Sequence, residues 1–154
     1  MKASEREFNV RALGEIAIRC SDVELMSQFY QNIIGLERFS GNHKDGIIFF
    51  KIAEGYGGHT SVLALFRPDV GRPEIHPQGE DKPKTGAQSS LHHLALSLPY
   101  SEQEAVIEWY ERNNIEYQIQ LFSWVGWRGI FTKDPEGNTV ELVSYDRTLL
   151  QAEE

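Results

Sequence analysis

The strongest constraint on the fold of this 154-residue chain is that its two halves repeat one pattern. Glu15 in the segment GEIAI matches His93 in HHLAL, 78 positions later, and Phe29 in a first predicted helix matches Trp109 in a second, 80 positions later. Self-similarity at one fixed period is the mark of a duplicated structural unit. The sequence therefore predicts two copies of a single module.

The first half is predicted to be a strand, a helix and three strands. LGEIAIRC (13–20) has the alternation of a strand, and DVELMSQFYQNIIG (22–35) has its apolar residues at helical spacing. Asp22 is a predicted helix N-cap and Gly35 a predicted C-terminal stop. LERFS, GIIFFKI and HTSVLALF follow as short β-like runs separated by turn residues.

The second half has the same predicted order. LHHLALSL reads as a strand, and SEQEAVIEWYERNN as a helix capped by Ser101 with Glu104 three residues later. IEYQIQLF, WRGIFTK and NTVELVSY then have the pattern of three strands. The segment between the halves, 67–90, is rich in proline, glycine and charge, so we predict either a mobile lid or an unstructured connector there.

These elements predict an α+β fold of two tandem βαβββ modules whose mixed sheets curl into a cleft. We place module one at 12–67, a linker at 68–90 and module two at 91–146, within a single domain of 1–154. A chain of this length can bury about two-thirds of its unfolded surface and fold alone.

Composition excludes some classes of partner. With 15 Lys and Arg against 23 Asp and Glu, the net charge is −8, whereas nucleic-acid-binding surfaces concentrate positive charge. No apolar run reaches the roughly eighteen residues of a membrane span, and the first residues lack a signal-like apolar core. We therefore expect a cytoplasmic protein with no nucleic-acid or membrane partner. Cys20, the only cysteine, precludes an internal disulfide and is a weak nucleophile candidate.

Strand alternation predicts which side chains share a face. His93 lies with Ala95 and Ser97 on the face opposite the leucines that must pack on the helix. Glu15 takes the equivalent face of the equivalent strand, and Glu141 takes that face in the last strand. His92 falls at the margin of the leucine layer and is not predicted to be a ligand.

One imidazole and two carboxylates on facing surfaces can surround a divalent cation and leave positions open for water or substrate, as catalytic metal sites do. Each of these residues alone is more often solvated or hydrogen-bonded. Their equivalent positions in the duplicated modules favour a metal site formed by Glu15, His93 and Glu141. A carboxylate that leaves the metal, Glu141 or Glu15, can then move a proton between carbon and oxygen.

The same segments resemble a known family. GIFTKDPEGNTVELV resembles the closing hairpin of the vicinal oxygen chelate superfamily, which includes glyoxalase I, fosfomycin-resistance proteins, extradiol dioxygenases, methylmalonyl-CoA epimerase and bleomycin-resistance proteins. HLAL resembles its second ligand-bearing strand, and EIAIRCSDVELMSQFYQNIIGL its opening strand and helix. The resemblance spans residues 12–146, and the family's ligand positions fall on Glu15, His93 and Glu141.

The resemblance implies paired modules around one divalent metal (Mn, Fe, Ni, Zn or Mg), a small-molecule substrate bound through two vicinal oxygens, and a homodimer. The implied reaction is that of a lyase, an isomerase or a ring-cleaving dioxygenase. The alternative is a metal-free binding protein of the bleomycin-resistance type. Ala64 stands where glyoxalase I carries a further ligand, and Phe131 where extradiol dioxygenases carry a tyrosine.

The substrate-binding prediction covers aromatic and cationic side chains. The aromatic residues are predicted to wall the cleft for an apolar or aromatic substrate, with core packing as the alternative. The arginines are predicted to pair with a substrate carboxylate or phosphonate, or else to neutralise the acidic site. The residues concerned are Tyr117, Trp124, Trp127, Phe131, Arg128 and Arg19. Whether the two modules close on each other within one chain or across a dimer is left open by the sequence.

Overall fold

Each half of the chain forms one four-stranded mixed sheet with a helix after its first strand. This is seen in a computed structural model that describes residues 5–42, 44–70 and 88–151. The order strand, helix, three strands occurs twice, so the predicted α+β fold of tandem βαβββ modules is confirmed.

The first sheet is built from residues 15–66. Its elements are β1 (Glu15–Arg19), α1 (Val23–Phe29), β2 (Glu37–Asn42), β3 (Ile47–Ala53) and β4 (Ser61–Phe66). The strands lie in the order β1-β4-β3-β2, with β1 parallel to β4 and the other pairs antiparallel. β1 is therefore an edge strand.

The second sheet repeats this topology in residues 94–145. Its elements are β5 (Leu94–Ser97), α2 (Gln103–Arg112), β6 (Gln118–Phe122), β7 (Trp127–Lys133) and β8 (Thr139–Tyr145). The strands lie in the order β5-β8-β7-β6, and only β5 and β8 are parallel. Short single-turn helices occur at Tyr56–Gly58, Tyr100–Glu102 and Arg147–Leu149.

The first helix begins and ends where the sequence predicts. The Asp22 carboxylate accepts a hydrogen bond from the Leu25 N–H at 3.0 Å, which is an N-cap. After Phe29 the helix widens into a π-helical segment, Tyr30–Ile34, and stops at Gly35, whose φ is 87°. Glycine adopts this left-handed conformation without steric cost.

The predicted cap of the second helix is wrong. The chain enters α2 through a tight turn at Tyr100–Glu102, so Ser101 lies inside the first turn rather than at its start. Glu102 occupies the cap position and makes no side-chain capping hydrogen bond.

Across the described ranges, no helix is both long and apolar enough to cross a membrane.

The helices of both modules pack into one apolar core with the inner faces of the two sheets. Its largest fully buried side chains are those of Tyr30, Tyr110, Phe50, Met26, Ile48, Leu63, Leu65 and Ile130. A polar contact also joins the modules, since Trp109 Nε1 in α2 donates to the Ile33 carbonyl at 3.0 Å. The predicted linker falls largely at 71–87, outside the described residues, so the lid stays a prediction.

Cys20 is buried in this core with no exposed surface, and burial raises the pKa of its thiol to about 12. Because only the thiolate is nucleophilic, Cys20 should not react with a disulfide reagent at pH 8 while the protein is folded. We expect one thiol per chain to appear only in denaturant, measured by the absorbance of the released chromophore. Rapid stoichiometric labelling of the native protein would contradict this burial.

Candidate metal centre

One face of the second sheet brings two of the predicted ligands together. The register places Glu141 of β8 between Ala95 of β5 and Phe131 of β7, and His93 immediately precedes β5. His93 Nε2 lies 3.3 Å from Glu141 Oε2. The structure thus pairs an imidazole with a carboxylate on the face that strand alternation predicted.

The Glu141 carboxylate is held out of water. The residue is 5% exposed, and burial raises the pKa of its carboxyl group, while the His93 charge acts in the opposite direction. A buried charge needs a partner of opposite charge, and His93 supplies one only when it is protonated. A divalent cation between the two side chains would satisfy both, so the donor set fits a metal.

Gly129 provides the space for this carboxylate. A Cβ atom at position 129 would lie 2.4 Å from Glu141 Oε1 and 2.8 Å from Phe131 Cε2, which are impossible contacts. A side chain on this residue of β7 would therefore force the Glu141 carboxylate and the Phe131 ring to shift. We did not single out Gly129 from the sequence, although a glycine inside a strand often marks a close approach of another group.

Aromatic rings extend from His93 along the same region. Phe131 packs edge-on against His93 with ring centroids 6.1 Å apart, Phe122 against Phe131 at 6.4 Å, and Trp124 against Phe122 at 5.5 Å. Trp124 is 71% exposed at the outer end of this row. Trp127, half exposed, shares the face of Gly129 by alternation along β7. The sequence predicted no binding role for Phe122, because it was assigned only as the last residue of a strand.

An open cleft of about 1120 Å³ borders the aromatic row. It is lined by residues 114–120 together with Phe131, Thr132, Lys133 and Thr139. Phe131 belongs both to the cleft wall and to the ring pair with His93, whereas His93 and Glu141 themselves do not line the cleft. Tyr117, one of the predicted wall residues, lines this cleft, and its hydroxyl donates to Glu111 Oε1 at 2.7 Å.

The structure places Arg128 on the other face of the sheet. Its Nη1 donates to Gln103 Oε1 at 2.8 Å, Gln103 Nε2 donates back to the Arg128 carbonyl at 2.7 Å, and Glu104 lies 3.7 Å away. These contacts link β7 to α2. Arg128 is therefore not brought together with Glu141.

Glu15 and Arg19 lie on β1 of the other sheet, with Glu15 exposed. Within one chain, over the described residues, no three His, Cys, Asp or Glu side chains are grouped so that they can share a metal ion. A single chain therefore assembles His93 with Glu141 but does not add Glu15 to them. Ala64, at the position of the extra glyoxalase ligand, is fully buried opposite Ala17.

The turn between β7 and β8 fixes the register that aims Glu141. Asp134 Oδ1 accepts hydrogen bonds from the Glu136 and Asn138 N–H groups at 2.9 and 3.0 Å. Its Oδ2 accepts from Asn138 Nδ2 at 2.9 Å and from the Tyr30 hydroxyl of the first module at 2.8 Å. Burial and the neighbouring Asp134 raise the pKa of Tyr30 above its ordinary range. The turn thus also ties the two modules together.

A second link from the same turn reaches the start of the first helix. Glu136 accepts hydrogen bonds from the N–H groups of Ser21 and Asp22 at 2.8 and 2.9 Å. The DPEGN segment lies within GIFTKDPEGNTVELV, which the sequence predicts to be a hairpin. Its contacts with the first module were not visible in the sequence, because they depend on how the modules pack.

His92 makes an unexpected contact. Its Nδ1 lies 2.7 Å from Nδ1 of His93, with ring centroids 5.0 Å apart and the ring planes at 72°. The predicted strand placed His92 beside the leucine layer, but the strand begins only at Leu94. Both histidines therefore precede the strand, and the exposed ring of His92 turns toward that of His93.

Comparison with known proteins identifies the family. A profile of the Glyoxalase/Bleomycin resistance protein/Dioxygenase superfamily matches residues 12–142. Among curated protein sequences, none matches this chain.

Solved structures share the fold at low identity. A glyoxalase/dioxygenase from Nostoc punctiforme is 21% identical with a TM-score of 0.63, over 90% of this chain and 94% of that one. A lactoylglutathione lyase from Agrobacterium tumefaciens is 20% identical with a TM-score of 0.61, over 86% of this chain and 92% of that one. A glyoxalase/bleomycin resistance protein/dioxygenase from Nocardioides is 18% identical with a TM-score of 0.63, over 98% and 94%.

At such identities these structures are evidence for the fold alone, and the family assignment comes from the profile, which covers both modules. The duplicated topology and the approach of His93 to Glu141 agree with it. The chain belongs to the Glyoxalase/Bleomycin resistance protein/Dioxygenase superfamily.

Proposed function

We propose that this protein is a divalent-metal-dependent enzyme that binds a small molecule through two vicinal oxygens and acts as a lyase, an isomerase or a ring-cleaving dioxygenase. The observation that carries the proposal is the His93–Glu141 pair, 3.3 Å apart with the carboxylate buried. One nitrogen and carboxylate oxygens suit Mn, Fe, Ni, Zn or Mg. Glu15 is the proposed third ligand.

Glu15 is proposed to come from a second copy of the chain. A single chain pairs two of the three ligands, and Glu15 stands exposed on β1, a free edge of its sheet. β5, which follows His93, is likewise an edge strand. In a two-fold dimer the same contact occurs twice, so two such edges meeting across the axis would complete two identical sites.

The residues have distinct roles in this proposal. A divalent metal held by these residues would supply Lewis-acid stabilisation of negative charge on a substrate oxygen. Glu141 or Glu15 takes a proton at a carboxylate oxygen and returns it to a neighbouring substrate atom. Phe131 and Trp127 bind the apolar part of the substrate, and Arg19, on the face of Glu15, pairs with a substrate anion. Arg128 has no role here, because Gln103 holds it on the opposite face.

Metal content tests the proposal. Protein purified without chelator should carry about one divalent metal per chain by elemental analysis, and Glu141→Ala should lower metal affinity by about 100-fold or more. Glu108→Ala, which removes an exposed carboxylate of α2, is the matched control and should bind as wild type does.

The opposite result would favour a different function. If no divalent metal reaches half occupancy and Glu141→Ala binds metal as wild type does, the enzyme proposal fails. The aromatic row, with Trp124 exposed at its outer end, would then favour the metal-free binding protein, in which the rings enclose an apolar ligand.

A further inference from the structure

We propose that His92 is a positioning residue that holds the His93 ring in the orientation and tautomer required for metal binding. The inference rests on the proposed function above, because it concerns the same site. Its basis is the 2.7 Å contact between the Nδ1 atoms of the two rings.

The contact allows one proton, and only one, between the two Nδ1 atoms. Two nitrogen lone pairs at this distance repel each other, and so do two N–H groups, so one Nδ1 must donate and the other must accept. A histidine binds a metal through a nitrogen lone pair. His93 directs Nε2 at Glu141, 3.3 Å away, and Nδ1 at His92. When Nε2 is the ligand, the proton therefore lies on Nδ1 of His93 and is donated to Nδ1 of His92.

The surroundings of His93 leave this role to His92. Phe131 touches the ring edge-on from one side, and Glu141 lies at Nε2. The His93 side chain is 35% exposed, so without His92 its Nδ1 would face water. Ligating histidines commonly donate their second N–H to an acceptor that sets ring orientation and tautomer, and loss of that acceptor weakens metal binding by about 10–100-fold.

Metal affinity separates a hydrogen bond from simple packing. Leucine and asparagine are nearly the same size, but only asparagine offers an acceptor, Oδ1, near the position of the lost Nδ1. We expect His92→Leu to bind Zn²⁺ about 10–100-fold more weakly than wild type by calorimetry, and His92→Asn to stay within about threefold. Equal affinity in wild type and His92→Leu overturns the proposal, as does an asparagine variant as weak as the leucine variant.

Nuclear magnetic resonance of the ¹⁵N-labelled imidazoles gives a readout independent of activity. In the Zn²⁺-loaded wild type, the His93 Nδ1–H proton should be visible and slow to exchange, and in His92→Leu it should be lost to exchange with water. In metal-free protein, one of the two rings should carry its proton on Nδ1 and the other on Nε2.

The tautomers of the two rings in metal-free protein distinguish failure of this inference from failure of the proposed function. If both metal-free rings carry their protons on Nε2, the contact is absent and the positioning role is overturned. If the rings show opposite tautomers but wild type binds no metal, the contact stands, while the metal-dependent function and the positioning role both fall.

Discussion

Replacing Asp134 by alanine is expected to lower the free energy of unfolding by about 3–5 kcal/mol. The carboxylate is 4% exposed and accepts four hydrogen bonds, one of them from Tyr30 in the other module. Alanine would leave those buried donors without a partner. Urea denaturation followed by fluorescence and by circular dichroism measures the change.

Asp146 provides the control for this variant. Its carboxylate also accepts a backbone hydrogen bond, from Thr148, but at an exposed turn. Asp146→Ala should therefore cost only about 1 kcal/mol. If Asp134→Ala is no more destabilised than Asp146→Ala, the link between the modules does not depend on this carboxylate.

The second large effect is expected from Gly129→Ala. The new methyl carbon would lie 2.4 Å from Glu141 Oε1, so either the carboxylate or the strand must move. Since β7 is paired with β8 both before and after residue 129, the strand is held in place and the carboxylate should move. We expect metal affinity to fall by about 100-fold, an effect like removal of Glu141 itself. Calorimetric titration with Zn²⁺ measures it.

Circular dichroism and thermal unfolding of the metal-free Gly129→Ala protein show whether the fold survives. A folded variant with wild-type affinity would mean that the Glu141 carboxylate has another position from which to bind metal. The close packing of Gly129 against Glu141 would then not be needed for metal binding.

The duplication and the strand alternation were enough to predict most of the fold and the pairing of two of the three proposed ligands. Two copies of one sequence pattern predict two sheets of the same topology. Each copy can bury the apolar face of its strands only against its own helix and the neighbouring copy. Alternation predicted that His93 and Glu141 share a face, and the structure places their side chains 3.3 Å apart.

Features that depend on pairing between strands or modules were harder to predict. Arg128 is different, because alternation along β7 alone turns it to the face opposite Phe131, where it contacts Gln103 of α2. The space at Gly129 and the bond from Tyr30 to Asp134 arise from segments distant in sequence. The prediction of Ser101 as a helix cap is wrong for a local reason, because the chain makes a tight turn before α2 begins.

The shared site is tested by combining two chains that each lack one proposed ligand. Chains carrying Glu15→Ala and chains carrying Glu141→Ala, expressed together with different tags, are purified as the heterodimer, and bound metal is measured by elemental analysis. If Glu15 serves the His93 and Glu141 of the other chain, one of the two sites is intact, and metal should return to about half the wild-type content. Each variant alone should carry far less metal than wild type. A heterodimer as empty as the single variants, beside a metal-loaded wild type, would contradict the shared site.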